Sequence, residues 1–511
     1  MATTVIFKNA SVFTMDLRCP RADSVLVSDD RIFWVGRSSE MPNVHVDQVV
    51  DCAGASLIPG LNDAHIHLLA YAANLRRLNC DRNNVSSINN LQQLIQTRVK
   101  TALPQQWIRG TGYDEFYLSE RRHPTRHDLD PFTPNNPVRL DHRSFHGCVL
   151  NSLGLQEIGI TKDTPDPVDG VIVRDESGIP TGLLLEMNNF VSQRMRETWD
   201  ETVLHESIEE TSKRLLKWGV TSLQDASPEN DIARWETFQR LTQAGALYQR
   251  ITFMPSVRDL GKFNERHLNY LCGSNQLRIG PAKIMLNLTT GGLQPHEEEL
   301  RQLILQAHQF GSPVAIHSIE SESSLLALHI LEQTAQLTKT LAYRDRIEHC
   351  SEATPMVVNE LQRTGTFVVT QPGFVYESGE RYRDQVAQEL QQWLYPINTL
   401  LDQKIPVAAG SDAPVASPNP WHGIYAAVTR RDVSGTPLNP DQSISLESAL
   451  ALSTSSAAYA SGDQESRGIL RAGMLADLAL LDRDLTSITP EDLLGCKSTL
   501  TMVGGKILWK F

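Results

Sequence analysis

No apolar run in the sequence approaches the roughly 20 residues needed to cross a bilayer. The richest, Val314 to Ile319, is interrupted by His317 and Ser318, so no membrane span is expected. The first residues, Met1 to Asp16, lack the basic start and long apolar centre of a secretory signal and read as a strand of the folded body. Cysteine is scarce and scattered: seven residues, at 19, 52, 80, 148, 272, 350 and 496, with no C-x-x-C pair. That pattern argues against thiolate zinc sites and fits a reducing cytoplasm, the location expected for the chain. Positive charge is in deficit, with 47 Lys and Arg against 60 Asp and Glu and a net charge of −13. Without a basic patch such a surface repels polyanions, and no nucleic-acid partner is expected. Internal repeats and low-complexity tracts are absent as well.

What is present is an ordinary globular composition, 41% hydrophobic and 21% charged, with a mean hydropathy of −0.27. At 511 residues the chain is too long for one small core. A barrel of about 250 residues with an insertion and an accessory domain would account for it. Both ends alternate apolar and polar residues, as in Gln48–Asp51, Asp477–Asp482 and Thr501–Trp509. Short hairpins need a second sheet to bury their apolar face, so residues 1–55 and 466–511 are expected to build one accessory β-sandwich.

Between them lie eight short apolar runs suited to buried parallel strands, namely Ser56–Leu61, Gly219–Asp225, Arg250–Pro255, Ala282–Leu286, Pro313–His317, Arg346–His349, Thr366–Thr370 and Val407–Asp412. The fold expected is α/β, a (β/α)8 TIM-like barrel over residues 56–465. About 155 residues separate the first two runs, far beyond a normal βα connection, so a large insertion is placed at about 70–200.

In a strand, residues i and i+2 share a face, so His65-Ile-His67 can present two imidazoles to one metal. Alone, the pair suits ordinary surface histidines equally well. Its weight comes from other metal-capable residues at strand exits, where such barrels gather their active sites: His317 ends the fifth run, His349 the sixth and Asp412 the eighth. Lys283 lies among apolar neighbours in the fourth run. It is either a snorkelling or acid-paired lysine, or a buried amine that sheds its charge and takes up CO2 as a carbamate.

The run Ile58-Pro-Gly-Leu-Asn-Asp-Ala-His65-Ile-His67, followed by Lys283, His317, Arg346-Ile-Glu-His349-Cys and Gly410-Ser-Asp412-Ala-Pro, resembles the metal-dependent amidohydrolase superfamily. Within it, the chain is most similar to the family 3 branch containing N-substituted formamide deformylases. Gly159–Pro165, Val428–Arg431 and Gly473–Asp477 extend the resemblance along nearly the whole chain. The resemblance implies one or two divalent ions, zinc by expectation. His65, His67 and Asp412 would hold one, His317 and His349 the other, with carboxylated Lys283 between them. In that scheme a hydroxide on the metal attacks and Asp412 carries its proton to the leaving nitrogen. Two departures bear on metal number and on the carbamate: Asn287 stands where the branch often has an acid, and Glu320-Ser321 where it often has Gly-Asp.

His146, in Arg143-Ser-Phe-His146-Gly, resembles a family histidine that faces the scissile carbonyl and could stabilise an oxyanion. A loop-turn role would suit it too. Tyr113, Asp114, Trp421 and Arg431 are outside candidates, and the His142/His146 pair lacks the glutamate of a zincin motif. The function expected is hydrolysis of an amide or N-substituted formamide C–N bond in a small-molecule substrate. Deamination or carbamate or cyclic-urea hydrolysis on the same site is the first alternative, and a non-catalytic scaffold retaining the barrel the second. An exposed sandwich edge suits a homodimer.

Overall fold

The computed structural model describes residues 3–167, 170–195, 201–288, 292–338 and 344–511. The chain divides into two compact units, one of Met1–Leu68, Ile208–Asn287 and Pro295–Phe511, the other of Leu69–Ser207 and Leu288–Gln294. Residues 168–169 and 196–200 of the expected insertion lie outside the described residues.

The first unit is a TIM-barrel-like α/β fold. Strands Leu277–Ile279, Arg250–Phe253, Val220–Asp225 and Leu61–Ile66 are neighbours in one sheet. Ala282–Met285, Val314–Ser318, Arg346–His349, Phe367–Thr370 and Val407–Ala409 follow in chain order in another. Every pairing is parallel. Their side chains are almost all buried, as strands covered on both faces must be. The two sheets join at both ends: Lys283 N donates to Pro255 O at 2.8 Å, Asp412 N to His65 O at 2.7 Å, and His67 N to Ala413 O at 2.8 Å.

Intervening helices follow local rules. Pro355–Thr364 begins with a proline, whose missing N–H is not needed in a first turn. It ends at Gly365, whose φ of 68° is the left-handed cap that glycine adopts without strain, and it buries Val357, Val358 and Leu361.

Two of the expected runs differ from the structure. Ser56–Pro59 does not join the parallel strands; it pairs with Ser11–Phe13 and Leu478–Leu481, and the first parallel strand is Leu61–Ile66. The switch falls at Gly60, where a Cβ would come within 2.1 Å of the Thr221 hydroxyl oxygen. The fourth strand has two legs, Leu277–Ile279 pairing with Ile251–Phe253 and Lys283 bridging to Ser256, with Gly280-Pro281 between them. Pro281 has no N–H to give, which interrupts the ladder there.

The chain ends form two further sheets of the first unit. One runs Arg31–Gly36, Ser24–Ser28, Thr4–Lys8, Gln48–Asp51; the other runs Lys506–Lys510, Ser498–Val503, Leu478–Leu481, Ser56–Pro59, Ser11–Phe13, Arg21–Ala22. Val5, Phe7, Val25 and Val27 from the first share one buried core with Val12, Leu57, Leu478, Leu500 and Met502 from the second.

The second unit carries its own six-stranded mixed sheet, in the order Val171–Arg174, Pro180–Leu185, Gly147–Leu150, Val138–His142, Ile108–Tyr113, Leu78–Asn79. Helix Ile88–Val99, capped by the Ser87 side chain accepting from Asn90 N, buries Leu91 and Ile95 in a core with Ile108, Leu140 and Val149. All seven cysteines are free thiols. Among the described residues no helix is long and apolar enough to cross a membrane.

Candidate metal centre

Five of the expected ligand residues converge within the first unit, each at or just beyond the C-terminal end of a parallel strand. His65 lies in Leu61–Ile66 and His67 just after it; His317 is in Val314–Ser318; His349 ends Arg346–His349; Asp412 follows Val407–Ala409. Lys283 belongs to Ala282–Met285. His67 Nε2 is 3.0 Å and His65 Nε2 3.4 Å from Asp412 Oδ1. The His349 ring centroid is 4.8 Å from that of His65 and 4.4 Å from that of His317. One donor atom each from His65, His349 and Asp412 lie within 4.8 Å of one another, close enough to hold one ion.

The backbone turns sharply at two of these positions. His349 has φ 69° and Asp412 φ 58°, the left-handed region that non-glycine residues enter at a cost of about 1–3 kcal/mol. Such conformations cluster where a side chain must be aimed. At Asp412 the turn is fixed by Asp63, which accepts from Ser411 N at 2.8 Å, Ser411 Oγ at 2.6 Å and His65 N at 3.2 Å. Burial pushes the Asp63 carboxyl up to about 6 against those hydrogen bonds. Beyond His67, Asp225 accepts from Leu68 N at 2.8 Å and Ser227 N at 3.2 Å. Ser227 Oγ in turn lies 3.3 Å from His67 Nδ1.

Electrostatics separate the groups. Burial disfavours charge on His65 and His349 and holds both below the usual imidazole range, with Lys283 adding to the effect. Burial alone would raise Asp412, but the hydrogen bond with His67 and the surrounding imidazoles outweigh it and leave its carboxyl well below the usual range. Lys283 is lowered to about 8 by burial, in spite of the Glu348 and Asp412 carboxylates nearby. Lys283 Nζ and His65 Nε2 are buried with no hydrogen-bond partner among the described residues. A buried donor or acceptor left in this way costs about 1–3 kcal/mol. An imidazole lone pair, a deprotonatable amine and a carboxylate around one point are the donor set a divalent transition metal takes, so the residues fit the group.

Four residues that hold the centre carry no role in the sequence reading. Glu348 Oε2 accepts from His65 Nδ1 at 2.5 Å, and its other oxygen pairs with Arg346 Nε at 2.5 Å. Arg346 also donates to Gln224 Oε1 at 2.6 Å. Gln371 Oε1 sits 2.8 Å from His349 Nδ1. Asp63 is the fourth. Arg346 and Glu348 precede the recognised His349 on its strand, and their i, i+2 spacing is the signal that they share a face.

The remaining candidates lie elsewhere. His146 is in the second unit, with Nδ1 2.7 Å from Glu186 Oε1. Tyr113 is buried there, its hydroxyl 3.1 Å from His123 Nδ1. Asp114 belongs to a second three-donor group with Glu115 and His142. Trp421, in the first unit, is buried and donates to Trp218 O. Arg431 is exposed and donates to Gly435 O, whereas its neighbour Arg430 is the buried one, clamping the carbonyls of Leu394, Tyr395 and Leu438. Asn287 Oδ1 is buried without a hydrogen-bond partner among the described residues.

Comparison with known proteins identifies the family. Residues 48–509 match the amidohydrolase family. An N-substituted formamide deformylase of Arthrobacter pascens is 28% identical, over 98% of this chain and 97% of its own. A putative amidohydrolase of Bacillus subtilis (strain 168) is 25% identical over 99% of each. An uncharacterized metal-dependent hydrolase from Pyrococcus horikoshii OT3 shares the fold with a TM-score of 0.76 at 23% identity, covering 96% of this chain and 99% of that one.

Proposed function

The chain belongs to the amidohydrolase family, and from that premise we propose that it hydrolyses an amide or N-substituted formamide, releasing an amine and a carboxylate. It is a hydrolase of C–N bonds other than peptide bonds. The observation that carries the finer reading is the pair of orphaned buried atoms, Lys283 Nζ and His65 Nε2, beside Asp412 and His349. The likeness to the Arthrobacter pascens enzyme supports the substrate class.

In this reading His65, His67 and Asp412 would hold one divalent ion, zinc by expectation, and His317 and His349 a second, with Lys283 as the residue that would take up CO2 as a carbamate. The metal supplies a water whose pKa falls to about 7, a nucleophile at neutral pH. Asp412, kept ionised by the imidazoles around it, would be the carboxylate that takes up a proton and passes it to the departing nitrogen. Asp63 and Ser411 hold Asp412 in register with His65 for this transfer.

The same reading closes the parallel strands into a (β/α)8 barrel, with the two legs of the fourth strand counted as one. It takes the terminal sheets as one β-sandwich and the 69–207 unit as the insertion. The outermost strand Lys506–Lys510 offers an edge through which two copies can pair as a homodimer, checked by solution mass. A cytoplasmic location agrees with the free thiols.

The experiment is metal quantification coupled to a panel of formamides, N-acyl amines and carbamates. Metal-dependent amine release from formamides is expected; ammonia release instead would make the chain a deaminase.

A further inference from the structure

The histidines of the centre are not held alike. His65 hands its Nδ1 proton to a carboxylate, Glu348, whereas His349 hands its own to the neutral amide oxygen of Gln371. Both supports are fully buried, so neither is diluted by solvent. A carboxylate oxygen is a stronger acceptor than an amide oxygen, by roughly a factor of two in bond strength. Donation to it fixes the tautomer with Nε2 bare and makes that nitrogen the more basic ligand. Arg346, itself buried, supplies the countercharge that a buried carboxylate requires, and Gln224 fixes Arg346 in turn. The acceptor oxygen of Glu348 remains half of a carboxylate all the same.

From this asymmetry we infer that Glu348 and Gln371 are positioning residues that set two unequal metal affinities: the His65 side holds its ion tightly, and the His349 side exchanges its ion. The inference rests on the proposed two-ion reading, in which His65 and His349 serve different ions although their donor atoms lie within 4.8 Å of one another. It assigns the Arg346/Glu348 pair a part in grading the centre, beyond keeping the strand packed.

The test uses the full-length protein stripped of metal and titrated with Zn2+ against a competing chelator, with bound zinc counted directly and the melting temperature of the metal-free protein recorded. Wild type is expected to show two classes of site at least about tenfold apart. Glu348→Gln keeps an acceptor but removes its charge, and weakens the tighter class by about 10–100-fold. Gln371→Glu adds the charge on the other side and strengthens the weaker class, bringing the two together. Because Glu348→Gln leaves Arg346 without its partner and can prevent folding, Gln371→Glu decides the matter alone in that event. Two equivalents of zinc bound as a single class in wild type overturn the inference, as does a Gln371→Glu protein whose two affinities match wild type, whereas one equivalent in all overturns the two-ion reading beneath it. A melting temperature that moves while both affinities stay fixed makes the two residues structural only and overturns it too. A wild-type chain that binds no zinc at all removes the metal reading itself, an outcome distinct from the others.

Discussion

Two clusters of histidine and carboxylate in this molecule differ in one respect that decides their chemistry. In the first unit, His65 Nε2 and Lys283 Nζ are buried without hydrogen-bond partners beside Asp412. In the second unit, Asp114, Glu115 and His142 also bring three donor atoms together. There the donors answer one another: His142 Nε2 is 2.7 Å from Glu115 Oε2, and Arg143 Nε is 3.6 Å from Asp114 Oδ2. A guanidinium beside a carboxylate already neutralises the charge a cation would neutralise. Proximity of donors is common to both clusters. His65 Nε2 likewise has Asp412 Oδ1 at 3.4 Å, so what sets the first cluster apart is its buried amine, Lys283 Nζ, which has neither a hydrogen bond nor an ion pair among the described residues.

The comparison breaks most visibly at Asp412. Asp412→Asn removes the proposed proton acceptor while keeping the side-chain volume, and kcat/KM on a responsive formamide should fall by about 10²–10⁴-fold. The matching change Asp114→Asn should leave bound metal unaltered. Equal losses of metal from the two variants would erase the distinction.

A smaller effect is expected on stability at Arg346. Its removal strands Glu348 in a fully buried place, and breaking a buried pair costs about 3–5 kcal/mol. Arg346→Ala should therefore shift the denaturant midpoint strongly even in metal-free protein. A shift seen only with metal present would mean that the pair matters through the ion alone.

The second unit should instead reveal itself through pH. Asp141 is buried among Arg139, Arg77 and Arg109. Burial would raise its carboxyl, but those cations outweigh it and hold it below its ordinary value. A carboxyl depressed in the folded state contributes stability in full above its unfolded value of about 3.9 and loses it as pH falls towards the folded one. The melting transition should weaken with acid below about pH 4, and Asp141→Asn should flatten that dependence. The least effect is predicted for His142→Ala, which should leave metal content at the wild-type level.

How much of this was readable from residues alone follows the same division. The strand exits bearing His317, His349 and Asp412 were legible because buried parallel strands are short apolar runs with polar residues at their ends. The break between Ser56–Pro59 and Leu61–Ile66 was not: Pro59-Gly60 is its local mark, but the close approach to Gly60 of Thr221, 160 residues beyond Leu61, is invisible in the sequence. The leg Leu277–Ile279 was missed because three residues before Gly280-Pro281 look like a turn. Glu348, Gln371 and Asp63 act through partners distant in sequence: Glu348 lies 283 residues from His65, and Ser411 lies 348 from Asp63. No local pattern announces such pairs. The sheet of the second unit pairs in chain order except at one place, where Pro180–Leu185 rather than Val171–Arg174 lies beside Gly147–Leu150.

The central claim is that the orphaned atoms at His65 and Lys283 mark a metal centre that performs hydrolysis. It is tested most directly by measuring bound metal and amine release together in wild type and His65→Ala. The account predicts at least one equivalent of metal in wild type, activity that disappears with a chelator and returns with Zn2+, and loss of both in the variant. Metal-replete wild type that carries no ion, or a His65→Ala protein that hydrolyses at the wild-type rate, would contradict it.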